Sequence, residues 1–314
     1  MAIKNVAHWL FLGGLLLLVV LASLLVSIRG LGYPNPADKR SPVPEIAAKT
    51  AAERDFAVML FALQCLDALT KNRYQSAVKS CTLALSQKPD DAALYKLRGN
   101  ANFLSGNTKR AIEDFTRAAE LAPGEPDGYR YRAAVYASLH RDREALADFN
   151  RAVAVAPDEP APLEGRGYFY ETRGQYGRAM DDLTIVVVMQ PTNYHAWNSL
   201  CWVRFLAKGD MKLALAECDT SIRLNPDNAN SFDSRGFVRL RLGRFAGALA
   251  DFDQALKLKP NLATSLFGRG VAKLHLGNRS GLRDIGMAKL AEPGIEVRFF
   301  GYGIRVPTIG PSGT

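Results

Sequence analysis

The chain repeats one pattern of apolar and polar positions every 34 residues. In one copy, Tyr95, Gly99 and Phe103 recur at the spacing of a single helix face, and Ala111 and Phe115 mark the face of a second helix. Each copy therefore predicts two amphipathic helices joined by a short turn. Because one hairpin alone cannot bury its apolar face, the pattern predicts an all-α fold in which the hairpins stack.

Seven copies share further features. Each opens its first helix with a large apolar residue, places a small residue four positions later, and ends at a proline. The closing prolines are Pro89, Pro123, Pro157, Pro191, Pro226, Pro260 and Pro293. The intervals between them are 34 residues except for 35 in the fifth copy and 33 in the seventh, so the fifth holds an extra residue near positions 208–211.

This pattern resembles the tetratricopeptide repeat (TPR) family over residues 58–293. The resemblance implies a right-handed α-solenoid of about seven helix hairpins across residues 46–293. It also implies a cap that packs onto the last hairpin, followed by a loose tail, in residues 294–314. In such solenoids the first helices line a concave groove that binds other proteins.

Catalytic motifs are missing from the sequence. The four histidines are scattered, and no HExxH, GxGxxG, P-loop or CxxC pattern occurs. We therefore expect no catalysis, no cofactor and no metal site, and an enzyme remains only as an unrecognised site.

Residues 7–28 are almost wholly apolar. At about 1.5 Å per residue, this run spans roughly 33 Å, which is enough to cross a bilayer. It predicts a transmembrane anchor in residues 1–29, held off the repeats by a Pro-rich linker in residues 30–45. A cleaved secretory signal is the alternative, but the apolar run is longer than a usual signal core and no clean cleavage site precedes Arg29.

The net charge of +9 is concentrated at one end, because residues 235–314 carry +8 of it. One interpretation is that these basic residues simply lie on solvent-exposed helix faces. A docking surface for an acidic protein, an anionic lipid or a polyanion is the other. Nucleic acid is disfavoured because most of the expected groove is not basic.

Five copies place an arginine before the small residue of the first helix and an aspartate level with it on the second helix. The expected pairs are Arg98 with Asp114, Arg132 with Asp148, Arg166 with Asp182, Arg235 with Asp251, and Arg269 with Asp284. We interpret them as structural ion pairs within each hairpin.

The first and fifth copies break this register in the same way. The small residue and the large residue that faces it become Cys65 and Cys81 in the first copy, and Cys201 and Cys218 in the fifth. The two cysteines of each copy lie at the same level on facing helices, which suits the Cα separation of about 4.4–6.8 Å that a disulfide needs. Two disulfides are our hypothesis, and free thiols in the core are the alternative. Disulfides indicate an oxidising compartment such as the bacterial periplasm.

Helical periodicity, together with the resemblance, predicts the side chains that line the groove. They are Lys96, Asn100, Arg130, Tyr131, Glu164, Tyr168, Asn198, Trp202, Phe205, Phe237 and Arg241. The aromatic members are candidates to anchor a partner segment. Lys96 and Asn100 match the first part of the carboxylate clamp found in some family members, but Tyr131 and later positions do not complete it.

The function that these observations favour is a single-pass protein of the cytoplasmic membrane whose repeats face the periplasm and scaffold other envelope proteins. Residues 7–28 would contact the bilayer, an acidic partner would meet the basic repeats, and a partner peptide or helix would bind in the groove. Flanking charges alone slightly favour repeats that face the cytoplasm. A cytoplasmic adaptor or regulator, and an accessory subunit of a membrane export or assembly complex, are therefore the alternatives.

Overall fold

The structure is a computed structural model that describes residues 51–308, and the predicted anchor and linker lie outside the described residues. Fifteen α-helices and no strand occupy the described part. They are α1 (Ala51–Thr70), α2 (Tyr74–Gln87), α3 (Ala92–Leu104), α4 (Thr108–Leu121), α5 (Pro126–Ser138), α6 (Asp142–Val155), α7 (Pro160–Thr172), α8 (Tyr176–Met189), α9 (Tyr194–Leu206), α10 (Met211–Leu224), α11 (Ala229–Arg241), α12 (Phe245–Leu258), α13 (Ala263–His275), α14 (Gly281–Ala291) and α15 (Ile295–Gly301).

Two compact units divide the chain after Pro157. The described part of unit 1 contains three hairpins, α1–α2, α3–α4 and α5–α6. Unit 2 contains four, α7–α8, α9–α10, α11–α12 and α13–α14, together with the short helix α15. The all-α hairpins that the sequence predicts are therefore confirmed. Among residues 51–308, every helix is too short or too polar to serve as a membrane span.

The turn inside the fifth hairpin explains the longer spacing of the prolines there. Three residues separate α3 from α4, and Gly106 among them takes a positive φ of 86° that suits glycine. Four residues separate α9 from α10, with Lys208 at φ 55°. The extra residue of the fifth copy thus lies in this turn, where the sequence places it.

The two helices of a hairpin approach closely at the position of the small residue. A Cβ added to Gly99 would lie 2.6 Å from Cε1 of Phe115, and one added to Gly236 would lie 2.7 Å from Cε1 of Phe252. Both phenylalanines are fully buried. The glycine and the ring therefore fill one space together, and a larger residue at either position would overpack it.

All five predicted Arg–Asp ion pairs form. The shortest N–O distances are 2.6 Å for Arg98–Asp114, 2.7 Å for Arg132–Asp148, 2.7 Å for Arg166–Asp182, 2.6 Å for Arg235–Asp251 and 2.7 Å for Arg269–Asp284. In each pair two guanidinium nitrogens bond the carboxylate, a geometry that is stronger than a single contact.

Several of these arginines also reach back to the hairpin before their own. Nη1 of Arg132 donates to Thr116 at 2.9 Å, and Nη1 of Arg235 donates to Asp219 at 2.7 Å. Nη1 of Arg269 likewise donates to Asp253 at 3.2 Å. One guanidinium therefore joins three helices, and it links successive hairpins as well as the two helices of one hairpin.

A second donor approaches the buried carboxylate from one turn further along the first helix. Asn102 bonds Asp114, Arg239 bonds Asp251 and Lys273 bonds Asp284, each at 2.8 Å. In the fifth hairpin, where Leu200 replaces the usual arginine, Arg204 at this same position binds Glu217 with contacts of 2.8–3.0 Å. The carboxylate of that hairpin is therefore still neutralised, by a residue that the repeat pattern does not single out.

The four cysteines occupy the space that glycine and phenylalanine fill elsewhere. The structure joins Cys65 to Cys81 and Cys201 to Cys218, each with a Cα–Cα distance of 5.4 Å. All four side chains are fully buried. Each bond links the two helices of one hairpin, so it takes the place of packing between those helices.

Candidate partner-binding surfaces

The first helices of unit 1 carry a charged cluster on α3 and α5. Lys96 Nζ lies 2.9 Å from Glu125 Oε2 and 3.5 Å from Asp127 Oδ2, and Nη2 of Arg130 donates to Asp127 at 2.8 Å. Burial lowers the pKa of Lys96, but the two carboxylates outweigh it and hold this pKa above its ordinary value. Burial raises the pKa of Asp127, and Arg130 and Lys96 outweigh it, so that pKa is lowered. Lys96 and Asp127 therefore stay charged at neutral pH.

Two buried polar atoms beside this cluster have no hydrogen-bond partner. They are Oδ1 of Asn100, one turn along α3 from Lys96, and Nε of Arg130. Unpaired buried polar atoms are uncommon in folded proteins and need an explanation. One is an acceptor and the other a donor, and these are the two kinds of group that a peptide backbone pairs with. We call Lys96, Asn100, Asp127 and Arg130 the polar patch.

Tyr131 differs from the other predicted groove residues of unit 1. Its ring is buried against Phe115, with ring centroids 5.5 Å apart, in a cluster that includes Phe103 and Val135. Its face also supports the guanidinium of Arg130 at 4.4 Å. Tyr131 therefore packs between hairpins and positions Arg130, rather than offering a free aromatic surface.

In unit 2, the predicted groove residues form two sets. Glu164, Tyr168 and Asn198 are half-buried. Glu164 accepts a hydrogen bond from Nδ2 of Asn193 at 2.6 Å, and Oδ1 of Asn198 is buried without a partner. Burial raises the pKa of Tyr168 above its ordinary value. This first set is polar, and it lies on α7 and α9.

The second set is aromatic and covered. Phe205 and Phe237 are fully buried, and Trp202 is half-buried. The indole of Trp202 stacks on Phe205 with ring centroids 5.1 Å apart and meets the edge of Phe237 at 6.0 Å. These three side chains are not free to anchor a partner in this structure, because residues 295–304 lie against Trp202 and Phe237, and Phe205 is buried beside those two rings and Arg241.

The covering residues belong to α15 and the turn after it. The ring of Phe299 stacks on Phe237 at 4.3 Å and on Phe267 at 5.2 Å. Tyr302 meets the edge of Trp202 at 6.1 Å. The sequence predicts that this segment packs onto the last hairpin, but it extends further and also contacts α9 and α11. The run of Phe299, Phe300 and Tyr302 in the sequence is the feature that indicates an apolar contact here.

Arg241 connects the same segment to the repeats by its polar atoms. Its guanidinium donates to the backbone carbonyl oxygens of Phe205 and Tyr302, and it lies 4.0 Å above the ring of Phe205. Burial lowers the pKa of Arg241. Arg241 therefore binds the C-terminal segment of its own unit.

Unit 2 also buries two carboxyl groups that the sequence pattern does not predict. Burial raises the pKa of Glu171 on α7 to about 7, against a hydrogen bond from Trp202. Burial raises the pKa of Asp233 on α11 to about 6, although Ser265 and Thr264 donate to it. The repeat pattern does not single out either group.

The basic end of unit 2 has a mixed surface. Arg279, Arg283 and Arg305 have no acidic partner among residues 51–308, whereas Arg298 pairs with Glu292 at 2.8 Å. Leu290 is 87% exposed and Val297 is 78% exposed. Within the described residues, no three side chains of the metal-ligating types lie close enough to hold a metal ion.

Comparison with known proteins identifies the repeat. A family model described as tetratricopeptide repeat matches residues 63–126 and 236–278. A stretch of 57 residues is 42% identical to the protein SGT1 homolog of Bos taurus, which is 18% of this chain and 17% of that protein. The chain thus matches only a small part of that relative's length.

Solved structures share the architecture over most of the chain. A tetratricopeptide repeat protein from Parabacteroides merdae matches with a TM-score of 0.60 and 19% identity, over 79% of this chain and 98% of that one. PilF of Pseudomonas aeruginosa matches with a TM-score of 0.57 and 19% identity, over 68% of this chain and 95% of that one. PilW, described as a widely conserved type IV pilus biogenesis factor, matches with a TM-score of 0.56 and 19% identity, over 66% of this chain and 94% of that one. At these identities the likeness concerns the fold.

Together, these matches support tetratricopeptide repeats in an all-helical arrangement. This fold is a scaffold for protein–protein interaction and is not typically catalytic.

Proposed function

We propose that this protein is a non-catalytic scaffold that binds a segment of a partner protein at the polar patch of unit 1. The observation that carries this proposal is the pair of buried, unpartnered atoms, Oδ1 of Asn100 and Nε of Arg130. A backbone N–H of the partner would pair with the first atom, and a backbone carbonyl would pair with the second. Leaving such atoms unpaired costs about 1–3 kcal/mol each, so a ligand that satisfies them is favoured.

Site-specific photo-crosslinking tests this function. A photo-reactive amino acid at position 100 is expected to capture a partner in native membranes, because that position lies in the polar patch. The matched control places the same group at Glu113, which is exposed on α4. Equal capture at the two positions, or capture at neither, contradicts binding at the polar patch.

The same proposal includes a single membrane anchor in residues 7–28 and repeats that face the periplasm. The apolar run of the sequence supports the anchor, and the two buried disulfides support an oxidising compartment. An adaptor that faces the cytoplasm is the alternative, since reducing conditions there keep thiols free.

Thiol alkylation in native membranes distinguishes these orientations. The protein is denatured without a reductant and treated with a reagent that adds mass to each free thiol. We expect no added mass, because all four cysteines are paired. Four labelled thiols contradict the periplasmic orientation and direct the search for partners to the cytoplasm.

The basic end favours a second candidate function, that of an accessory subunit of a membrane export or assembly complex. Arg279, Arg283 and Arg305 are cations without acidic partners in the described residues, beside exposed apolar side chains. The fold is shared with PilF and with PilW, whose description as a pilus biogenesis factor belongs to that protein. An acidic partner subunit is the chemistry that fits this surface.

Charge reversal tests the second candidate. Arg279→Glu combined with Arg283→Glu is expected to release the protein from a co-purifying complex at low salt. The control reverses two exposed charges of unit 1, with Lys109→Glu and Arg110→Glu on α4. Retention of the complex by the first variant contradicts docking through the basic end.

A further inference from the structure

The C-terminal segment of unit 2 lies on the repeats in the manner of a bound peptide. Its Phe299 side chain is fully buried between Phe237 of α11 and Phe267 of α13, and Tyr302 reaches Trp202 of α9. Three successive first helices therefore contact one short segment. We call Trp202, Phe237, Arg241 and Phe267 the aromatic groove.

Backbone recognition accompanies these ring contacts. Arg241 donates at once to Phe205 O, which belongs to the repeats, and to Tyr302 O, which belongs to the segment. A guanidinium that binds a main-chain carbonyl does not depend on the side chain of that residue. The contact is suited to any segment that follows the same path.

The covered surface includes ionisable groups. Arg241 is half-buried without an acidic partner in the described residues, and the carboxyl group of Glu171 lies beside Trp202. Burying a charged group without an opposite charge is unfavourable unless hydrogen bonds compensate. Hydrogen bonds are present here, because Arg241 donates to two carbonyl oxygens and Glu171 accepts from Trp202, so the surface beneath the segment offers polar contacts beside its aromatic rings.

We propose that the aromatic groove is a binding site for a partner segment with two aromatic side chains three residues apart, and that residues 295–304 are its resident occupant. Phe299 and Tyr302 define this spacing in the chain itself. A partner segment with the same pattern displaces the resident one, because both need the same ring contacts and the same Arg241 donor. The site lies in unit 2, on residues separate from the polar patch.

Attachment to the chain gives the resident segment an advantage. A tethered ligand competes at an effective concentration on the order of millimolar. A free peptide of the same sequence therefore binds the wild-type protein weakly, and it binds well only when the resident segment is loosened.

The test uses full-length protein in detergent and a fluorescent peptide that spans residues 294–308. In Phe299→Ala the resident segment loses its buried ring, and we expect the peptide to bind at least tenfold more tightly than it binds the wild type. Phe300→Ala is the matched control, since Phe300 is the next residue and is 59% exposed. This control is expected to bind the peptide as weakly as the wild type does.

Two additions keep the result interpretable. Tyr302→Ala loosens the segment through a half-buried ring, and it replaces Phe299→Ala if that variant loses its helical circular dichroism. A peptide that lacks both aromatic rings is expected not to bind. A folded Phe299→Ala or Tyr302→Ala chain that binds the peptide no better than Phe300→Ala overturns the proposal.

Failure here is distinct from failure of the proposed function. The crosslinking experiment at position 100 reports on unit 1 alone, and the peptide experiment reports on unit 2 alone. A scaffold with an inert C-terminal cap would give capture at position 100 and no gain in peptide binding.

Discussion

At the residue scale, the repeat places an arginine opposite an aspartate in the same surroundings in five hairpins. The sequence predicts which arginine meets which aspartate because a period of 34 residues fixes their level in each hairpin. It does not predict that Arg204 neutralises Glu217, because that contact comes from one turn further along α9. Whether one arginine can take over the contact of another depends on how far its side chain reaches, and the 34-residue spacing does not give this information.

Removal of a buried carboxylate is expected to be costly. Asp251 is 3% exposed and binds both Arg235 and Arg239, so Asp251→Ala leaves Arg239 without a carboxylate and Arg235 with only the half-exposed Asp219. We expect a loss of about 3–5 kcal/mol in the free energy of unfolding, measured by urea denaturation. Asp253, whose side chain is 54% exposed, is the control, and Asp253→Ala is expected to cost at most about 1 kcal/mol. Similar losses in both variants contradict this assignment.

Burial of Glu171 is expected to make stability fall as pH rises. Its pKa is about 7 in the folded protein, against an ordinary value of 4.5, so the folded state holds the proton more tightly than the unfolded state does. The resulting stabilisation is complete below pH 4.5 and is lost as pH rises through 7. Tyr168, Trp202 and Tyr302 face this carboxyl group, and none of them carries a charge in that range.

The measurement compares Glu171→Gln with the wild type by thermal unfolding at several pH values. Glutamine keeps the shape and cannot ionise. We expect the variant to gain at most about 3 kcal/mol relative to the wild type between pH 5 and pH 8. A constant difference across that range shows that folding does not raise the pKa of Glu171.

At the element scale, the hairpins follow directly from the spacing of small and large residues. Glycine opposite phenylalanine brings two helices together, and cysteine opposite cysteine does so in two hairpins. Helix α15 is harder to derive from the sequence, because it has seven residues and no repeat to compare it with. Its position depends on contacts with helices as far away in the chain as α9, which local periodicity does not encode.

Filling the glycine position is expected to destabilise a hairpin. Gly236→Ala brings a methyl group within 2.7 Å of the Phe252 ring, and overpacking of this kind costs about 1–3 kcal/mol. Gly286 is the control because it lies inside α14 with open space around it. Gly286→Ala is expected to stabilise by up to about 1 kcal/mol, since alanine favours the helix. Chemical denaturation of the two variants gives both values, and a neutral Gly236→Ala contradicts the close approach.

The disulfide of the fifth hairpin is expected to be exchangeable for the packing used by its neighbours. Cys201→Gly with Cys218→Phe restores the residue types of Gly236 and Phe252. Reduction is expected to lower the stability of the wild type by about 3 kcal/mol per bond. Reduction of the double variant is expected to remove only the stability contributed by the remaining bond, Cys65–Cys81. Thermal melts with and without reductant test this, and an unfolded double variant contradicts the equivalence of the two arrangements.

At the scale of the whole molecule, the sequence predicts the architecture and the type of surface, but not which surfaces are free. The candidates Trp202, Phe205 and Phe237 have the right periodicity for an inner face, and they do lie with the first helices. The availability of Trp202 and Phe237 depends on residues 295–304, which contact them across as many as 100 positions of the chain. Lys96, Asn100 and Arg130 are partly exposed, and two of them hold unpaired polar atoms, so the polar patch is the place where we expect a partner.

Both disulfides join helices of the same hairpin, and this has a consequence for a chain under tension. Neither bond opposes the parting of one hairpin from the next, so tension can separate neighbouring hairpins of a unit while both bonds stay intact. The bonds close loops with sequence separations of 16 and 17 residues. Each loop withholds roughly 55 Å of contour length while the bond is intact. Under tension, the first and fifth hairpins are therefore expected to lengthen less than their neighbours until their bonds are reduced.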